Sequence, residues 1–397
     1  MNSVWKQSPL RRRERKGDAE NFKFGHHRLT PIAFISGADG STLLEFFGRL
    51  KFSEFSQLTN GPLFPRGQMK KYISILCVAL SLCAAAAAQT GDLTEGYFVT
   101  PDNVKIFYKI EGRGSETLVA VHGGPGNSLE SIRADFEPLA KGRRVIYYDQ
   151  RGQGRSELLS DGKKLGYQQH IADLEALRVH FKLERMSLIG NSWGGLLISL
   201  YAVAHPDRIE RMILDSSASP MAGFMADMED EISRRTAKIY TPQQIARLKT
   251  VRDPKMWLKA KDPTAICREF YYGVLRAYTY SQTFGDNYKG DLCAGGIESV
   301  RQQPITRAHA WRSLGDYNLM SQLGVVKAPV LVIHGAADVI PLKSSEFWAF
   351  GYPNARLLVI EKAGHIGQIE APEIFFPAIE TFLKGSFPAG AKTIKHP

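Results

Sequence analysis

The chain has 397 residues, of which 44% are hydrophobic, 10% aromatic and 23% charged, a make-up that excludes a disordered or fibrous protein. Its 51 Lys+Arg against 40 Asp+Glu leave a net charge of +11, which invites a nucleic acid or an anionic membrane as partner only if the charge sits on the folded part. It does not: residues 1–68 hold eleven Lys/Arg against six acids, Lys70 and Lys71 add two more, and residues 89–397 keep only +4.

In chain order, residues 1–68 carry the basic run Arg11-Arg12-Arg13 and show no sustained helical or strand period. They read as a non-native or disordered extension, with translation expected to begin at Met69. From there the pattern is that of a secretory signal peptide over 69–88. Met69-Lys70-Lys71 is the basic part, Tyr72 to Cys83 the apolar part, and Ala84 to Ala88 supply small residues before Gln89. Leu82 before Cys83 does not suit a lipoprotein signal. The apolar run falls short of the ~20 residues that span a bilayer. A cleaved leader is therefore expected, with a secreted or periplasmic product and no stable membrane insertion. Cys77 and Cys83 lie in that leader, so Cys267 and Cys293 remain. In an oxidising compartment they form either one disulfide or two buried thiols, since sequence fixes neither distance nor orientation.

From Gly96 onward strands and helices alternate. Val104–Ile110 alternates as a strand, and Thr117–Val121 and Val145–Tyr148 are continuous apolar runs of the kind buried on both faces. Ile171, Leu174, Leu177 and Phe181 recur at helical spacing over about 167–182. A strand at Met186–Gly190, a helix from Trp193 to about Ala204 and a strand at Arg211–Asp215 follow. Strand runs then stop until Pro329–Ile333 and Arg356–Ile360, and a last helix covers about 371–384. This alternation predicts an α/β fold, a mostly parallel sheet with helices on both faces. Its core spans 96–217 and 321–385, and 218–320 is an inserted helical cap.

Gly190-Asn191-Ser192-Trp193-Gly194 is a G-x-S-x-G sequence between an apolar strand and a helix. Such a turn pushes the Ser192 hydroxyl out, and only small residues fit two positions to either side. A nucleophilic serine needs a base and an orienting acid. Asp338, just after the strand ending at Ile333, and His365, just past the strand ending near Ile360, are delivered at the carboxyl edge of a parallel sheet. His170, His180, His205 and His334 fit worse and read as hydrogen-bond-satisfied or solvated side chains. Oxyanion donors are expected from the Trp193 N–H, at a helix N-terminus, and from His122-Gly123-Gly124-Pro125-Gly126, where Gly124 is preferred over Gly123. No HExxH, CxxC, Walker loop or complete dinucleotide fingerprint is present, so neither metal nor cofactor is expected.

Three segments in order, His122–Gly126, Asp149-Gln150-Arg151-Gly152-Gln153-Gly154-Arg155-Ser156 and Gly190–Gly195, resemble the signature set of the proline iminopeptidases (prolyl aminopeptidases), which are capped α/β-hydrolases. The resemblance runs over about 96–215 and 316–383. It implies an α/β-hydrolase fold and a cofactor-independent serine hydrolase that removes an N-terminal residue, preferentially proline, from short peptides. It also implies that Asp149–Ser156 is a brace beside the oxyanion loop, with a substrate contact by Arg151 as the alternative. Members hold the substrate amine with glutamates, in some from the residue after the catalytic acid, and here that residue is Val339. Glu229, Asp230, Glu231, Glu269 and Glu298 read as solvated helix surface rather than amine ligands. The expected partner is a small peptide or ester and no nucleic acid. An esterase or lactonase for small apolar acyl groups is the alternative, and a non-catalytic ligand receptor the third reading.

Overall fold

The computed structural model describes residues 94–281 and 288–397; the extension at 1–68 and the leader at 69–88 lie outside the described residues. Eight strands form one sheet: β1 (Thr94–Val99), β2 (Lys105–Glu111), β3 (Thr117–Val121), β4 (Arg144–Tyr148), β5 (Met186–Asn191), β6 (Ile209–Asp215), β7 (Val330–Gly335) and β8 (Ala355–Ile360). Their order is β1-β2-β4-β3-β5-β6-β7-β8. β1 and β2 run antiparallel to their neighbours, and every pairing from β4 to β8 is parallel. The sheet is the mostly parallel one the alternation predicts. β1 is not anticipated in the sequence because it is an edge strand on which Phe98 alone is buried.

Period-two alternation divides the core between the two faces. On β3, Val119 and Val121 face one apolar cluster, while Leu118 and Ala120 face the other. The first cluster packs under α1 (Tyr167–His180) and α2 (Trp193–Ala204) through Leu174, Leu177, Leu196 and Leu197. Opposite, the C-terminal helix contributes Phe375, Ile379 and Phe382.

Between β6 and β7 the chain leaves the sheet, and the described residues there form five α-helices: α3 (Phe224–Ile239), α4 (Pro242–Arg252), α5 (Pro254–Lys259), α6 (Pro263–Tyr278) and α7 (Ile297–Leu314). Three of them start in the same way. Thr241, Asp253 and Asp262 each accept a hydrogen bond from an N–H of the first turn, and a proline follows each at the first helical position. Cys267 on α6 and Cys293, shortly before α7, are joined by a disulfide with a Cα–Cα distance of 5.9 Å.

Candidate active site

Between β5 and α2 the chain turns through Ser192, whose backbone sits at φ 54° and ψ −119°. A Cβ added at Gly190 would lie 2.4 Å from Gly194 C and O, and one at Gly194 would lie 2.1 Å from Val121 O. Both positions are therefore closed to any side chain. The turn is locked from behind, as Ser192 N–H donates to Asp215 O at 3.0 Å and Ser192 O accepts from Ala218 N–H at 2.9 Å.

The carboxyl ends of β7 and β8 lie against each other, since a Cβ at Gly335 would meet Gly364 O at 2.1 Å. That approach brings Asp338 and His365 together. His365 Nδ1 lies 2.9 Å from Asp338 Oδ1 and 3.1 Å from Oδ2, and Oδ1 also accepts the Ile340 N–H at 3.0 Å. His365 is held from the insertion as well: its backbone N–H donates to Tyr278 O at 2.8 Å, and the Tyr278 ring stands edge-on to the imidazole at 5.2 Å.

The electrostatics follow from burial and pairing. Burial opposes charge on His365, but the Asp338 carboxylate, by its charge and hydrogen bond and with Asp215 adding to it, holds the imidazole pKa above 6.5. For Asp338 burial works upward, yet the charge and hydrogen bond of His365 outweigh it and keep the carboxyl below its ordinary range. Asp215, at the end of β6, is pushed up to about 7 by burial, with the Asn191 amide at 2.9 Å working against the shift.

Ser192, His365, Asn191, Gly123 and Gly124 line one cavity of about 760 Å³, of the size that takes a small molecule. No hydrogen bond joins Ser192 to the His365 ring among the described residues; such bonds often tighten only with substrate in place. The loop after β3 runs against the elbow, because a Cβ on Gly123 would lie 3.2 Å from Ser192 Cβ. Neither the Gly124 nor the Trp193 N–H has an acceptor among the described residues. For Trp193 this is the rule at the first position of a helix.

Asp149–Ser156 braces this arrangement through contacts that the sequence does not reveal. Gln150 donates from Nε2 to His122 O at 2.8 Å and accepts the Trp193 indole N–H at 2.9 Å, so one amide ties the glycine loop to the elbow. Asp149 accepts the Leu129 and Arg155 N–H groups, each at 2.7 Å. Arg151 is fully buried in ion pairs with Asp173 at 2.5 Å and Asp102 at 2.9 Å, and the cavity wall does not include it. Its alternative reading as a substrate contact is thereby corrected. Of the other histidines, His334 shares a 2.9 Å hydrogen bond with Ser345. His170 is buried edge-on to Trp193, not solvated.

The acids of the insertion divide. Glu231 pairs with Arg235, Glu269 with Arg247 and Glu298 with Arg301. Glu229 lines the cavity and is held by Arg252 through two bonds of 2.7 and 2.8 Å. Arg235 of α3 reaches the acid's own loop, donating to Ala337 O at 2.5 Å and Asp338 O at 3.0 Å. Among the aromatic residues of the insertion, Phe270, Tyr271 and Tyr278 face the cavity, while Tyr272 and Tyr280 are exposed.

Comparison with known proteins agrees with this architecture. A family model described as the alpha/beta hydrolase fold matches residues 116–243. The proline iminopeptidase of Lactobacillus crispatus is 26% identical over 283 residues, 70% of this chain and 94% of that protein. The 2-hydroxymuconate semialdehyde hydrolase of Pseudomonas putida is 31% identical over 278 residues, 69% of this chain and 88% of that protein. Among solved structures, the proline iminopeptidase of Mycobacterium smegmatis superposes with a TM-score of 0.54 at 22% identity, covering 73% of this chain and 98% of that one.

Proposed function

The chain belongs to the α/β-hydrolase family, and from that premise we propose that it is a serine hydrolase working by two-step acyl transfer, with Ser192, His365 and Asp338 as its catalytic residues. The observation that carries this reading is the Asp338–His365 hydrogen bond in the cavity that Ser192 lines. Ser192 Oγ attacks the carbonyl carbon while His365 Nε2 takes its proton; Asp338, on Nδ1, fixes the tautomer and offsets the imidazolium. The carbonyl oxygen becomes negative where the Gly124 and Trp193 N–H groups stand without acceptors, and they stabilise it. His365 then gives the proton to the leaving group. Water, activated in the same way, releases the acid and returns the serine.

Two substrate readings have separate support. The motifs and the proline iminopeptidase relatives support release of N-terminal proline or another small apolar residue from short peptides. That reading requires acid to receive an ammonium, and Glu229, the one carboxylate on the described wall, is already engaged by Arg252. An ester or lactone of a small apolar acyl group needs no such acid, so the wall favours this second reading. Proline and alanine anilides, free and N-acetylated, set against short-chain nitrophenyl esters separate the two when rates are expressed over the uncatalysed reaction. The ester reading expects the larger enhancement on esters. An anilide preference that vanishes on N-acetylation would establish the aminopeptidase instead.

We further propose that the enzyme is exported. The Met69–Ala88 pattern supports this, and the Cys267–Cys293 bridge accords with an oxidising compartment.

A further inference from the structure

The wall of the active-site cavity carries positive charge that acyl transfer does not use. Lys249, Arg252 and Arg307 line it, against the single carboxylate of Glu229 among the described residues. Arg252 is engaged by Glu229, and Lys249 is exposed to solvent. Arg307, on α7, is half-buried and makes no ion pair with any described residue. A cation partly removed from water without a counter-ion is costly, and it is retained where a ligand supplies the missing charge.

Its guanidinium is held in place by neutral groups. Nε donates to Pro125 O at 3.3 Å, and Nη2 donates to the Tyr271 hydroxyl oxygen, whose own proton goes to Asn127 Oδ1 at 2.8 Å. Pro125 directly follows Gly124 and Asn127 lies three residues after it, so the cation is fastened to the loop assigned to the oxyanion. Tyr271 is buried on α6, one turn after Cys267, and the disulfide pins that helix to Cys293 just ahead of α7. Among the described residues, Nη1 and the second N–H of Nη2 make no hydrogen bond. That planar fork matches the two oxygens of a carboxylate.

We propose that Arg307 is an anion-binding residue of this cavity and that the natural substrate carries a carboxylate in addition to the bond that is cleaved. The same cavity is lined by apolar side chains, among them Trp311, one helical turn beyond Arg307, and Leu275 and Val274 from α6. The substrate class is therefore a short aliphatic or aromatic acyl compound with one charged end. The inference rests on acyl transfer in this cavity, but not on whether the scissile bond is an ester or an amide.

Monomethyl adipate and dimethyl adipate differ by this one charge, and hydrolysis of both is followed by acid release at constant pH. The full chain is expected to prefer the monoester in kcat/KM by roughly 10- to 100-fold, the range of a hydrogen-bonded charge. Arg307→Met should remove that preference by lowering kcat/KM for the monoester much more than for the diester, and Arg307→Lys should keep part of it. A wild-type enzyme that favours the diester or treats both alike overturns the proposal, as does an Arg307→Met variant that slows both equally. Calorimetric titration of the Ser192→Ala chain with adipate, with and without Arg307→Met, reads the same site without catalysis. If neither ester is turned over, the acyl-transfer reading fails. Adipate binding that depends on Arg307 then still supports the anion site, and absent or Arg307-independent binding rejects it.

Discussion

His365 shows how much one residue's surroundings decide. Burial alone would make it a weak base, but the Asp338 carboxylate reverses the sign and holds its pKa above 6.5. The proposed mechanism needs the neutral imidazole, so kcat/KM is expected to rise with pH through a midpoint above 6.5. Stability runs the other way. A folded-state pKa raised above the unfolded one gives stabilisation that is present below the unfolded value and lost as pH rises through the folded value. Asp338→Asn should move the activity limb to lower pH, because only Asp215 then opposes burial, and should slow turnover by roughly ten-thousand-fold; a pH–rate profile of the two enzymes checks both. Ser192, Asp338 and His365 were legible in the sequence because each sits in a short motif at a strand end. Gln150, Arg235 and Arg307 were not, because their partners lie 43, 102 and 182 residues away.

Helix α3 is joined to the loop of Asp338 through Arg235, which donates to Ala337 O and Asp338 O and is itself held by Glu231 at 2.5 Å. The arginine acts through the loop, not on substrate, and its expected role is to keep Asp338 aligned with His365. Arg235→Ala should cost about 1.5–3 kcal/mol of stability and lower kcat more than it changes KM. Arg235→Lys should recover part of the stability but not the alignment, because one ammonium does not reproduce the two-carbonyl fork. Urea unfolding and steady-state kinetics read the two effects separately. In the insertion, the disulfide closes a loop of sequence separation 26 between α6 and α7. Replacing both cysteines by serine should cost about 3–4 kcal/mol by the loop-entropy estimate, measured as a lower urea midpoint that reductant no longer shifts. The insertion was recognised by its lack of strand runs. Its helix starts, Thr241-Pro242, Asp253-Pro254 and Asp262-Pro263, carry cap-then-proline signals that went unread among so many charged residues, and the faces these helices bury left no signal at all. Those faces pack against one another and the catalytic loops at distances that no local period records.

For the whole molecule, the parallel sheet was legible because strands buried on both faces read as continuous apolar runs, whereas the exposed edge strand β1 left no such run. The net charge of +11 resolves into a basic segment before residue 89 and a nearly balanced remainder. Charge is therefore informative at the cavity, where three cations face one carboxylate among the described residues, and not over the chain as a whole. The account stands or falls on Ser192. A fluorophosphonate reacted with the full chain, followed by intact mass and peptide mapping, is predicted to give one adduct, on the peptide bearing Ser192. Ser192→Ala should abolish both adduct and turnover while melting at a temperature close to the parent's. Turnover retained by a clean Ser192→Ala preparation, or an adduct on a different residue, would contradict it.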